Sequence, residues 1–169
     1  VNADFSKKLC KKDNLHYGIE LQNNDVVSNA HNENIKTGVT TEDRATRYPD
    51  KKAKMMLLAA YLSNNWNISK SLSFSQGIRF NYVTLNAAYS DTMVKIMNIP
   101  FDPNITQKNT AVNGYLGLVA TPGYDWKFSL VGSTGFRAAN IDDLTKLNAS
   151  TSTTIVVPNP DLKPENAYN

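Results

Sequence analysis

A chain of 169 residues, 41% hydrophobic and 20% charged, has room for one domain with a core of its own. No apolar run approaches the roughly 20 residues a membrane helix needs, which excludes a helical membrane protein but not a β-barrel, whose strands set only every second residue against lipid. The net charge of +3 is small, and the single cysteine, Cys10, excludes an intramolecular disulfide framework and a cysteine-rich metal site.

The chain opens on a basic stretch, Lys7, Lys8, Lys11 and Lys12, which reads as a solvated segment rather than a nucleic-acid-binding face, because the lysines follow no pattern. Val1 to Leu9 supplies neither a signal peptide nor the apolar segment that a lipid anchor at Cys10 would need. That would point to the cytoplasm in a whole protein. However, Asn166-Ala167-Tyr168-Asn169 stops where a strand begins, so the expectation is an internal fragment.

From Leu15 onward apolar residues recur at a period of two, the mark of strands with one apolar and one polar side. In Leu15 to Val27 the apolar side starts Leu15, Tyr17, Ile19, Leu21; in Met55 to Ile68 it is Met56, Leu58, Ala60, Leu62, Trp66 and Ile68. Leu72 to Thr84 is the clearest case, with Leu72, Phe74, Ile78, Phe80 and Tyr82 opposite Ser73, Ser75, Gly77, Arg79 and Asn81. Asn109 to Thr121 carries Val112, Leu116, Leu118 and Ala120 on one side, blurred by Tyr115 and Val119 on the other. Tyr124 to Phe136 sets Trp126, Phe128, Leu130 and Phe136 against Lys127, Ser129, Ser133 and Arg137.

The connections carry as much information as the strands. Tight turns are expected around Ser69-Lys70-Ser71 and at Pro122-Gly123, whereas 32–54, 91–108 and 138–165 are long, polar and rich in Asn, Thr, Asp and Pro. Such loops are unusual in a compact soluble domain. In an up-and-down antiparallel sheet, alternating short and long connections put all the turns at one end and all the loops at the other, as in an outer-membrane barrel. Trp66, Tyr124 and Trp126 fall near the turn end, and Tyr82 and Tyr89 toward the loop end, where interfacial aromatic girdles would sit. The expected fold is all-β: a meander of about five long strands and the start of a sixth, too few to close a pore.

Gly135-Phe136-Arg137-Ala138-Ala139-Asn140, with Asp143-Leu144 after it, and Asn159-Pro160-Asp161-Leu162-Lys163-Pro164-Glu165 resemble in spacing and order a motif pair of TonB-dependent receptor barrels, G-F-R-A-P-N…E/D-L and N-P-x-L-K-P-E. Ala139 departs from the family, which generally has proline there. Tyr48-Pro49 and Gly77 to Asn81 resemble the family more weakly. The resemblance implies that Phe136 and Arg137 end an outward-running strand, that Ala138 to Pro158 form an extracellular excursion, and that Asn159 to Glu165 lead into the returning strand. It further implies an outer-membrane location in contact with lipid, a plug domain, coupling to TonB, and import of a nutrient that this sequence does not identify.

The residues themselves agree with that layout. Pro158, Pro160 and Pro164 deny backbone donors and hold the chain extended, and Arg137 with Asp142, Asp143, Asp161 and Glu165 has the charges to pin the loop base. Lumen-facing candidates on the polar side are Arg79, Asn81, Lys127 and Ser129.

No catalytic motif stands out: G-x-S-x-G, G-x-x-x-x-G-K, H-E-x-x-H and EF-hand spacings are missing from the sequence. His16 and His31, fifteen residues apart, would share a metal only if the loop folded back, and Asp142-Asp143 would point to opposite sides of an extended chain. No cofactor, metal site or nucleic-acid partner is therefore expected. Three readings compete: a receptor-barrel fragment, a secreted or surface β-sandwich that binds glycans through aromatics, and an outer-membrane barrel enzyme. The first two separate on whether Phe74, Ile78, Phe80, Phe128 and Leu130 face lipid or a second sheet, and the third needs a histidine within reach of a serine.

Overall fold

A computed structural model describes residues 1–41, 45–123, 125–146, 148–149, 155–156, 159 and 161–169. In chain order the strands are β1 (Asn2–Cys10), β2 (Asp13–Asp25), the two-residue β3 (Asn32–Glu33) and β4 (Thr40–Thr41), β5 (Lys52–Asn67), β6 (Leu72–Ala88), β7 (Asn104–Ala120), β8 (Phe128–Arg137), the two-residue β9 (Asn148–Ala149) and β10 (Ile155–Val156), and β11 (Glu165–Tyr168). Helix α1 (Asp91–Met97) lies between β6 and β7, and α2 (Ile141–Thr145) follows β8.

One open seven-stranded sheet takes the order β1-β2-β5-β6-β7-β8-β11, antiparallel throughout. Each member is next to its predecessor among the sheet's strands, so the sheet is an up-and-down meander, as expected. It is wider than expected. The stretch before Leu15, read as a solvated basic segment, is strand β1, paired with β2 from Asn2↔Glu20 to Lys8↔Asn14. Its apolar side runs Ala3, Phe5 and then Lys7, so the period-two signal is faint there.

Residues 11–12, 68–71 and 121–127 join neighbouring strands at one end, while 26–51, 89–103 and 138–164 make the excursions at the other. The predicted alternation therefore extends to a third turn. The excursions are not bare loop. Ser90 caps α1 by accepting from the Met93 amide (3.2 Å), and Asn98 ends it in the left-handed conformation, φ 47°.

The register puts Leu21, Leu58 and Tyr82 in one cross-strand row, Ile19, Ala60, Phe80 and Val112 in the next, and Tyr17, Leu62 and Ile78 in the one after. Toward the turns, Trp66, Phe74, Leu118 and Leu130 form a further row. No second layer of the described residues covers this face: Ile78 is 54% exposed, Val112 62% and Leu130 74%. The β-sandwich reading requires that layer, so the fold goes against it. Fourteen large apolar side chains lie half-open on this face, from Phe5 in β1 to Leu130 in β8. At about half of the 1.5–3 kcal/mol that full burial of such a side chain contributes, their exposure to water would cost on the order of 10–20 kcal/mol. That matches or exceeds the whole stability of an ordinary domain, about 5–15 kcal/mol. Hydrocarbon against the face removes the cost.

The core sits on the opposite face, at the loop end. There Ala53, Leu85, Ala87 and Ile105, from the loop ends of β5, β6 and β7 beyond the apolar band, pack with Tyr89, Met93 of α1, and Ala139, Ile141 and Leu144 around α2. Tyr89, expected in an interfacial girdle, is instead 2% exposed within this core. Tyr82 does lie on the apolar face, in the row with Leu58; Tyr124 lies outside the described residues. At the turn end Trp66 is open on the same face, and Trp126 stacks on Phe128 with ring centroids 6.0 Å apart.

Candidate functional site

The face opposite the apolar band is built from side chains of alternate parity, and two features give it shape. Tyr61 lies across Gly18 and Tyr115 across Gly77, each ring occupying the space a Cβ would need. A cross-strand ring covering a strand glycine restores the contact the missing side chain would have made. Tyr115 blurred the sequence pattern of β7 for this reason: it is an aromatic on the polar face, fitted to a glycine one strand away.

Around these rings runs a chain of polar contacts. Arg79 donates through Nη2 to Glu20 Oε2 (2.5 Å) and through Nε to Asn81 Oδ1 (2.8 Å), and Asn81 Nδ2 donates to Asn113 Oδ1 (2.9 Å). Tyr61 Oη donates to Asp4 Oδ1 (2.6 Å). The network thus links β1 to β5, and β2 to β6 and β7. A shallow depression of about 430 Å³ is lined here by Tyr61, Ser63, Gly77, Arg79, Asn113, Tyr115 and Ser133.

Of the four polar-side candidates, Arg79 and Asn81 are joined in this network. Ser129 is on the same face, opposite Val119, which in turn pairs with Ser73. Lys127 is exposed in the connection one residue before β8, outside the strand that was expected to begin at Tyr124. Glu20, Asn113, Asp4 and Tyr61 were not foreseen as partners. Glu20 meets Arg79 across an intervening strand, and only the register reveals that.

The second cluster is the loop base, where the motif residues converge. Arg137 closes β8 and forks: Nη2 to Asp143 Oδ2 (2.6 Å) and Nη1 to Glu165 Oε1 (3.1 Å). Glu165 is also its cross-strand partner, at the first residue of β11. Asn140 caps α2: Asp143 N donates to Asn140 Oδ1 (2.9 Å), and Asn140 N donates to Asp143 Oδ2 (3.1 Å). This reciprocal capping box satisfies two helix-end donors. One carboxylate, Asp143, therefore serves both the cap and the fork.

Of the expected loop-base carboxylates, Asp143 and Glu165 pair with Arg137, whereas Asp142 sits by Lys146 (3.6 Å) and takes a hydrogen bond from Tyr48. That bond, foremost, holds the Asp142 carboxyl below its usual range and raises the Tyr48 phenol. Asp161 donates its amide to Asn159 Oδ1 (3.0 Å), and the Leu162 amide donates to Asn159 O (3.3 Å), a turn that feeds Lys163 and Pro164 into β11. Gln107 Nε2 ties the turn to β7 through Leu162 O (2.7 Å).

Gly135 and Phe136 pair with Ala167 and Asn166, so the motif's strand residues lie in the β8–β11 ladder. Ala138 follows β8, and Ala139, where the family has proline, is buried in the loop-end core. Pro158 and Pro160 lie outside the described residues. Tyr89 Oη donates to the Thr145 carbonyl beneath α2, and burial pushes its phenol pKa up.

A smaller depression at the loop end, about 210 Å³, is lined by Ser28, His31, Thr46, Asp50, Thr92 and Met93 among others. His16 lies in β2 opposite Ser63, away from His31. Among the described residues no group of three His, Cys, Asp or Glu side chains is placed to hold a metal.

The comparisons with known proteins agree with this geometry. A solved structure described as a double mutant of the Serratia marcescens hemophore receptor HasR, in complex with its hemophore HasA and heme, superposes with a TM-score of 0.71 at 14% identity, over 99% of this chain and 27% of that one. The chain thus spans about a quarter of that receptor's length, and the likeness at this identity is one of fold. No curated protein matches the chain. The sequence matches the family described as "TonB dependent receptor-like, beta-barrel" over residues 2–169, essentially end to end, and the chain belongs to that family.

Proposed function

We propose that this chain is a stretch of wall and outer loops of a bacterial outer-membrane receptor that imports a scarce nutrient with energy from the TonB complex. The observation that carries the reading is the opposition of two faces: an uncovered apolar band on one side of the sheet and the Glu20–Arg79–Asn81–Asn113 network on the other. In a barrel wall the first meets lipid and the second a water-filled lumen. Further strands complete the cylinder, and a plug domain fills it. Arg79, Asn81 and Ser129 then line the lumen around the plug, while Lys127, in the connection before β8, sits at the turn-end rim.

The loop-end excursions, stiffened by α1, α2 and their shared core, are the part that meets ligand, and the polar depression beside His31 and Asp50 lies among them. This stretch supplies shape and charge rather than covalent chemistry. HasR, whose structure holds a hemophore and heme, places haem among the cargoes to be tried first. The test is growth of a strain lacking the gene, supplied in turn with haem, an iron-siderophore, cobalamin or an oligosaccharide as the limiting source. Loss of growth on one source, restored by the gene, is expected. Unimpaired growth and uptake on every source by the deletion strain would contradict import.

A further inference from the structure

The net positive charge of this protein is concentrated at one end of the sheet. Six of its eighteen basic residues, Lys7, Lys8, Lys11, Lys12, Lys70 and Lys127, lie in or beside the three short turns, with only two of its fifteen acidic residues, Asp13 and Asp125. The remainder of the chain, twelve basic residues against thirteen acidic, is close to neutral. Strand β1 is what gathers the lysines: it brings Lys11 and Lys12 to a hairpin turn beside the β5–β6 turn, where Lys12 Nζ donates to the Ile68 carbonyl (3.5 Å).

All six lysines are exposed, and none forms an ion pair with a described residue. Asp13 is engaged elsewhere, taking the Asn64 amide. Consecutive hairpins of the sheet are about 10 Å apart, twice the strand spacing, so the charges form a row along the rim, apart from that of Lys8, which is opposite Asn14 on the polar face.

The depth of that row is fixed by its neighbours. Trp66 and Trp126 lie at the same end, and amphipathic aromatics settle at the headgroup level of a bilayer. The turns project just beyond them. Lys7 is one row deeper, on the apolar face opposite Leu15, where its long stem can run along the strand and carry the ammonium to the interface.

We infer that the short-turn rim is a basic collar that binds anionic phospholipid headgroups of the leaflet facing the turns. This rests on the barrel reading above. Clustered lysines at a membrane surface attract anionic lipid at about 1 kcal/mol each, and ammonium groups beside an aromatic belt are at the right depth to meet phosphate. The collar fixes the vertical seat of the wall and favours anionic lipid in its annulus.

The test is electron spin resonance of spin-labelled lipids with the protein reconstituted into phosphatidylcholine vesicles. The expected result is a motionally restricted lipid population that prefers phosphatidylglycerol over phosphatidylcholine on the order of fivefold. The preference should fall toward unity in Lys7→Gln/Lys70→Gln/Lys127→Gln and persist in Lys51→Gln/Lys52→Gln/Lys108→Gln, which removes equal charge from the loop end. Equal selectivity in all three proteins, or none in the unaltered one, would overturn the collar while leaving the barrel intact. Binding of soluble polyglutamate through the three lysines without lipid selectivity would overturn it in favour of an acidic protein partner. Absence of any restricted lipid would instead refute the barrel reading itself.

Discussion

Arg137 and Asp143 show how a few side chains hold an excursion to a strand end. Asp143 both caps α2 and accepts from Arg137, and Arg137 reaches on to Glu165, so the outgoing strand, the helix and the returning strand meet at one guanidinium. Arg137 is half-exposed, and exposed pairs contribute about 0.2–1 kcal/mol each. Arg137→Ala is therefore expected to cost about 1 kcal/mol and to speed amide exchange across 138–146, with Arg137→Lys intermediate because it cannot fork; hydrogen-exchange mass spectrometry reads both.

The cap itself should be worth about as much. Asn140→Ala is expected to cost roughly 1 kcal/mol and fray α2, while Asn140→Asp keeps an acceptor and loses less, as denaturant titration would show.

Asp142 has a pH signature. Its carboxyl is held below the usual 3.8 chiefly by the Tyr48 hydroxyl, so its ionised form is favoured by folding. The contribution is complete above the ordinary carboxylate pKa and is lost as pH falls through the depressed one. Tyr48→Phe should move the Asp142 midpoint up toward the ordinary value in an NMR titration; an unmoved midpoint would assign the shift to Lys146 and Arg47 instead.

At the scale of elements, β2, β5, β6, β7 and β8 were legible in the sequence because each sets an apolar row against a polar one. Their ends were less so. Beyond Thr84, β6 carries Leu85 and Ala87 on the face that is polar lower down, because that face leaves the membrane level and packs on α1 and α2. The change of sides ended the simple alternation at Thr84, four residues short of the strand's end. The helix α1 was missed although Ser90-Asp91 and Asn98 are start and stop signals, because seven residues make too short a period to stand out in a polar stretch. Of the polar-face network, Arg79 and Asn81 were visible as residue types, but Glu20, Tyr61 and Asn113 depended on register between strands.

Strand β1 is held partly by a glycine. A Cβ on Gly18 would lie 2.6 Å from the Ala3 carbonyl and 2.8 Å from the Tyr61 ring, so the backbone of the edge strand would have to move. Gly18→Ala should cost about 1–3 kcal/mol and expose β1 amides selectively to exchange, leaving the β5–β6 amides protected.

For the whole molecule, the determining fact is an apolar surface that no described residue covers. The sheet also has open edges at β1 and β11, a template for pairing with further strands. In detergent-free buffer the chain is expected to be aggregated or oligomeric, and light scattering checks this; a monodisperse monomer would tell against the membrane assignment. The same surface accounts for the loop-end core: with the outer face given to lipid, the described residues bury protein against protein on the other side, at the loop end.

The most direct measurement is the pattern of accessibility along β6. Single cysteines placed in turn at residues 73–80 in a Cys10→Ser background, spin-labelled in a bilayer, should alternate. Labels at Phe74, Ile78 and Phe80 should collide with oxygen dissolved in hydrocarbon, and those at Ser73, Ser75 and Arg79 with a water-soluble nickel chelate. Even-numbered labels that are immobile and reached by neither reagent would mean that protein covers the apolar face, and the account would fail.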